Sequence, residues 1–182
     1  MRTKKREARR TKALTAVQKT AYFGVLSALA LALSWAESFL APLLNLPMGI
    51  KPGLSNIAVM VASSSFGWPA GLAVAAVKAM FAGITRGFTA MLLSAAGGLA
   101  SALLVGLLLK IRITTDELRI SETGIGMLGG VAHNLTQLVC AALLMRTWSV
   151  LWLSPMLIVL GVIAGAVTGT LVKFIRKAKY FS

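Results

Sequence analysis

"AYFGVLSALALALSWAESFLAPLL", residues Ala21 to Leu44, holds one charged side chain, Glu37, in twenty-four positions. Coiled as a helix at 1.5 Å per residue it rises about 36 Å, enough to cross a hydrocarbon core about 30 Å thick. Its apolar residues run on without alternating, which points to a membrane helix and away from a barrel strand. The run is also too long for the apolar core of a cleaved signal peptide, despite the Ala28-Leu29-Ala30 triplet.

The rest of the chain repeats this character. Hydrophobic residues make up 57% of 182 positions and charged residues 13%, with a mean hydropathy of +0.81. A water-soluble domain of this size needs more polar surface, so the expected class is an all-α integral membrane protein with one membrane domain. Six segments are expected to span: 21–44, 54–66, 70–84, 88–109, 124–145 and 150–174. The second and third are short, and Gly67, Trp68 and Pro69 between them read as a turn with an interfacial aromatic. The resulting organisation is a basic arm over 1–20, a six-helix domain over 21–174 and a basic tail over 175–182.

The net charge of +14 is concentrated at the ends of the apolar domain. Eight cations from Arg2 to Lys19 precede the first span, and Lys173, Arg176, Lys177 and Lys179 close the last. Cations beside spans fit the positive-inside rule and anionic headgroups, and leave no need for nucleic acid as a partner. An even number of spans then puts both termini in the cytoplasm, with the chain in the cell membrane and Lys110, Arg112 and Arg119 in an inner loop. The outer turns would each carry a single cation, Lys51, Arg86 and Arg146.

Small residues recur every fourth position on several segments: Gly24, Ala28, Ala32 and Ala36; Gly71, Ala75, Ala79 and Gly83; Ala90, Ser94, Gly98, Ala102 and Gly106; Gly161, Gly165 and Gly169. That spacing lays each set along one helix face and lets backbones approach closely. Most such faces must pack within the bundle. The one on the first segment is the best candidate for docking a helix of another protein.

Ionisable and amide side chains at membrane depth cost roughly 2.5 to 3.5 kcal/mol when charged, so each asks for a partner or a use. Glu37, Lys78, His133, Asn134 and Gln137 are such residues, with His133 and Gln137 on one helix face. In "GIKPGLSN", Gly49 to Asn56, Pro52 is placed to open the second helix. The free amides of that first turn, the helix dipole and the Lys51 ammonium would then converge on an anion, with Arg86 and Lys78 near. The blander alternative is that Lys51 and Arg86 snorkel to the outer interface. Lys51, Asn56, Lys78, Arg86, His133, Asn134 and Gln137 are the candidate substrate-binding residues. The single cysteine, Cys140, has no metal-ligand company, and neither a metal site nor catalytic residues are expected.

"GIKPGLSNIAVMVASSSFGW", "SAAGGLAS" and "GMLGGVAHNLTQLVCAALL" together resemble the Gx transporter family, also labelled heptaprenyl diphosphate synthase component I. That family is similar to the substrate-binding S components of energy-coupling factor (ECF) transporters. The resemblance covers about 21–172 and implies a six-helix S-component-like bundle with an outward pocket under the first loop. It also implies docking of the first helix, through Gly24 to Ala36, on a transmembrane coupling protein served by two ATPases. ATP would be used by those partners, and this chain has no phosphate-binding "GxxxxGK[ST]" of its own. The expected function is capture of a small anionic vitamin-like or precursor molecule for ATP-driven uptake. The alternative is a membrane component of heptaprenyl or polyprenyl diphosphate synthesis. Magnesium-dependent prenyl transfer needs clustered carboxylates, whereas the chain's only aspartate is Asp116, so no enzyme activity is expected.

Overall fold

A computed structural model describes residues 15–46, 50–51, 53–114 and 120–181. Its elements are α1 (Ala16–Leu43), α2 (Asn56–Phe66), α3 (Trp68–Arg86), α4 (Phe88–Thr114), α5 (Glu122–Met145), a 3-10 turn (Trp148–Leu153) and α6 (Ser154–Phe181). No strand occurs among the described residues. The protein is an all-α membrane bundle.

The start of α1 corrects the expected arm. Thr15 and Gln18 form a reciprocal capping box, at 3.2 and 3.0 Å, so the helix begins within the last residues assigned to the arm. Residues before Thr15 and the tip of the 110–122 loop lie outside the described residues. The sixth apolar span covers Trp148–Ile175, with Trp148–Leu153 wound as a 3-10 turn before the α-helix that starts at Ser154.

Among the described residues, five helices are long and apolar enough to cross a membrane, and α2 is not. Its 11 residues rise only about 16 Å. α2 is packed beside α1 along its length. Phe66 at the end of α2 packs on Tyr22 near the start of α1, with ring centroids 6.1 Å apart. Ser55 at the start of α2 meets Glu37 in the second half of α1. Bare backbone is tolerated at such depth only inside protein, and Ile50, Lys51, Gly53 and Ser55 are all buried.

One-residue turns at Gly67 and Gly87, with φ of 90° and 88°, link α2 to α3 and α3 to α4. Neighbours then run antiparallel: Gly83 faces Met91 at one end of the α3–α4 pair and Gly106 faces Trp68 at the other. The closest seam joins α5 to α6, where Gly126 lies against Gly165 and Gly130 against Gly161. A methyl on Gly130 would sit 2.1 Å from the Gly161 carbonyl oxygen. Leu26 of α1 and Val172 of α6 share one hydrophobic cluster, so the chain enters and leaves at the same end of the bundle.

The surface is apolar and much of the interior is polar. Trp152, Ile84, Leu43 and Val17 are each more than three-quarters exposed, whereas Glu37, Lys78, Asn134 and Gln137 are at most 2% exposed. Lipid supplies the apolar surroundings, so the polar side chains collect where other protein groups can satisfy them.

Candidate functional site

The small-residue faces divide as their helices pack. Those on α3, α4 and α6 are turned into the bundle, while Gly24, Ala28, Ala32 and Ala36 are all exposed. A methyl on Gly24 would meet nothing within 4 Å.

Opposite that exposed face, α1 presents Ser34, Glu37 and Ser38 to the non-helical stretch and to α3. The Glu37 carboxylate accepts from the Ser55 backbone N–H at 3.3 Å and from the Ser55 hydroxyl at 2.9 Å. Ser55 Oγ in turn accepts from Lys78 Nζ at 3.1 Å, and Lys78 Nζ also donates to Asn56 Oδ1 at 3.2 Å. One serine hydroxyl thus links a buried carboxylate to a buried ammonium.

This geometry corrects the expected anion site at the start of the second helix. Pro52 lies outside the described residues, and α2 begins at Asn56 after a turn in which the Asn56 and Ile57 N–H groups donate to the Gly53 and Leu54 carbonyls. The amide of Ser55, at the helix's entry, is already engaged by an anion, and that anion is Glu37.

Lys51 and Arg86 converge elsewhere. Lys51 Nζ donates to the Ser34 carbonyl and, at 2.9 Å, to Ser38 Oγ. The Arg86 guanidinium donates to Ser38 Oγ at 3.2 Å and to Ser34 Oγ at 3.3 Å. Two cations therefore share one serine hydroxyl, and every acceptor named here for them is a neutral oxygen. Glu37 is the sole carboxylate in the sequence between Ala16 and Thr114; its hydrogen bonds lead to Lys78, and its charge also attracts Arg86. The local balance is three cations against one anion, and a guanidinium and an ammonium side by side on neutral oxygens is an arrangement that a further carboxylate or phosphate stabilises.

The amides of α5 secure the stretch from the other side. Gln137 Oε1 accepts the Lys51 backbone N–H at 2.8 Å, and its amide nitrogen reaches the Leu93 carbonyl of α4 at 3.4 Å. Asn134 Nδ2 donates to the Leu157 carbonyl of α6 at 2.8 Å. His133 lies against Gly97, where a methyl would come within 2.7 Å of the imidazole. Cys140, about two turns beyond His133 on α5, is half-buried.

All seven candidate residues therefore lie in one polar region, in three groups. Lys51 and Arg86 meet at Ser38; Lys78 bonds both Asn56 and Ser55; His133, Asn134 and Gln137 lie on α5, where Gln137 accepts the Lys51 N–H and His133 and Asn134 lie beside Gly53. Ser34, Ser38 and Ser55 were absent from the candidates, and Glu37 was noted only as an isolated charge. The signal that could have found two of them is Ser34-x-x-x-Ser38, which aligns two hydroxyls on the helix face adjoining Glu37.

The family model described as Heptaprenyl diphosphate synthase component I matches residues 26–175. No curated protein and no solved structure matches the chain. The match spans most of the chain, including at least part of every helix and the whole polar region, and the chain belongs to that family.

Proposed function

We propose that this member of the heptaprenyl diphosphate synthase component I family is a substrate-binding membrane subunit. It captures a small anionic molecule at Lys51 and Arg86 and passes it to an ATP-driven module. The observation that carries this reading is the pair of cations held on the neutral oxygens of Ser34 and Ser38 while Glu37 is committed to Ser55. A compact membrane protein has little reason to bring two cations onto one hydroxyl unless an anion joins them. The short apolar α2 supports it, since transporters build substrate sites around short and interrupted helices. Partner docking falls to Gly24, Ala28, Ala32 and Ala36, a small-residue face that the bundle leaves uncovered. The partners would be an ECF-type coupling protein and its ATPases, which use the ATP; the chain itself would need no cofactor and catalyse no reaction. The cell membrane, with both ends of the chain in the cytoplasm, suits the basic termini.

The family description favours a second reading, in which the chain assists heptaprenyl diphosphate synthesis and the anion is a diphosphate on an apolar tail. The two readings separate by co-purification, with ATPases in the first case and with a soluble prenyltransferase in the second. Binding itself is tested by native mass spectrometry of the detergent-purified chain. A retained anionic small molecule is expected in the wild type and is lost in Lys51→Ala and Arg86→Ala. Unchanged occupancy in both variants would refute the site.

A further inference from the structure

Asn56, the first residue of α2, is 5% exposed and only half engaged. Its Oδ1 accepts from Lys78 Nζ at 3.2 Å, and its Nδ2 has no hydrogen-bond partner in the protein. Rotating the amide cannot exchange the two ends. An ammonium only donates, so the oxygen must face Lys78 and the nitrogen must face away from it. A buried donor left without an acceptor is costly and uncommon.

That side chain lines a cavity. Asn56 contributes to its wall from α2, Ser101 from α4 and Thr168 from α6, and much of the rest is glycine backbone of α5 and α6. Every residue that lines it is buried. It gives about 10 Å³ to the centre of a water-sized sphere, about what one water molecule needs and far too little for an organic substrate. The hydroxyls suit that occupant. A methyl on Gly129, in the same wall, would lie 3.3 Å from Ser101 Oγ, which places this hydroxyl at the cavity. Thr168 Oγ1 donates to the Ala164 carbonyl at 2.8 Å, so its lone pairs are left to accept.

We infer that the cavity is a binding site for a single water molecule, which accepts from Asn56 Nδ2 and donates to Ser101 Oγ and Thr168 Oγ1. About three bonds is the usual complement of a buried water. The hydrogen-bonded line that starts at Glu37 and passes through Ser55, Lys78 and Asn56 then continues through the water to α4 and α6. The water holds the Asn56 amide with its oxygen on Lys78, which makes Asn56 a positioning residue for that ammonium and not a contact for the substrate. None of this depends on an anion at Lys51 and Arg86.

Met60 lines the same cavity, is 2% exposed and carries an oxidisable sulfur, so it reports the water. X-ray hydroxyl-radical footprinting of the detergent-purified full chain, with a scavenger quenching radicals from bulk solvent, is read by mass spectrometry at Met60. The radicals that reach it then come from water already beside the side chain, and wild type is expected to form the sulfoxide. Ser101→Ala combined with Thr168→Val leaves Asn56 as the one polar side chain on the wall, too few partners to retain a water, and the Met60 label should be lost. Ser101→Val removes the same hydroxyl and fills the space with a methyl, so it should lose the label by a second route. Gel filtration and circular dichroism check that the variants fold, and the wild-type measurement decides alone if they do not. An unlabelled Met60 in wild type, or an equal label in wild type and folded variants, overturns the water site.

Discussion

Lys78 and Glu37 are expected to be coupled strongly enough to measure although a serine stands between them. The bonds of 2.9 and 3.1 Å that meet at Ser55 Oγ limit the distance between the carboxylate oxygen and the ammonium to about 6 Å. At an effective dielectric constant of about 20, unit charges at that separation attract by about 3 kcal/mol. Lys78→Met leaves a carboxylate buried without its cation, and Glu37→Gln does the reverse, its one oxygen still able to accept from the Ser55 N–H while its NH2 can only donate to the Ser55 hydroxyl. Breaking a buried pair from one side costs about 3–5 kcal/mol, whereas replacing both partners is often close to neutral. The double variant should therefore be more stable than Lys78→Met alone, with a coupling energy of about 3 kcal/mol in a double-mutant cycle. Equilibrium unfolding in detergent micelles reads all four proteins. Additive losses, or a coupling below about 1 kcal/mol, would refute the charge compensation and return Glu37 to the balance at Lys51 and Arg86.

Gly130→Ala should cost about 3 kcal/mol or more, or abolish folding, because its methyl meets a backbone carbonyl at 2.1 Å that no side-chain rotation can relieve. Gly24→Ala, with nothing within 4 Å, should be neutral or slightly stabilising in the isolated chain; thermal unfolding of the two variants compares them. Gln137→Leu deprives the buried Lys51 N–H of its acceptor and should cost about 1–3 kcal/mol. Amide exchange at Lys51 should also accelerate, and an unchanged rate would show that Gln137 does not hold the turn.

The fold was legible where each helix carries its own signal. Six apolar segments are expected to span and five of them are helices long and apolar enough to cross, among them the third, whose helix extends beyond the short run at 70–84 to Trp68–Arg86; the small residues of α3, α4 and α6 mark faces that do pack closely. The same spacing on α1 could not say whether its face was covered, because a stripe of small residues encodes how near a neighbour can come and not which neighbour it is. The second segment was harder still. Apolar composition over 54–66 is shared by a full span and by a short helix packed beside α1, and only the Glu37–Ser55 and Tyr22–Phe66 contacts separate them.

For the site, the ionisable residues stood out because charge at membrane depth is expensive. Their pairing did not, since the groups that arrange them are serine hydroxyls, which cost little in a membrane helix and so leave no compositional trace. The proline rule misled for a related reason. It locates a helix start from local geometry, whereas here the start is drawn to Asn56 by a carboxylate eighteen residues upstream of Ser55. Glu37 thereby takes the place that an incoming anion was expected to fill, and its one charge is divided between Lys78 and Arg86 while Lys51 and Arg86 rest on α1's serines. A ligand that bound at the α2 entry would have to displace Glu37, whereas one that binds at Ser38 adds to it, and the stability of Glu37→Gln with anion present distinguishes the two.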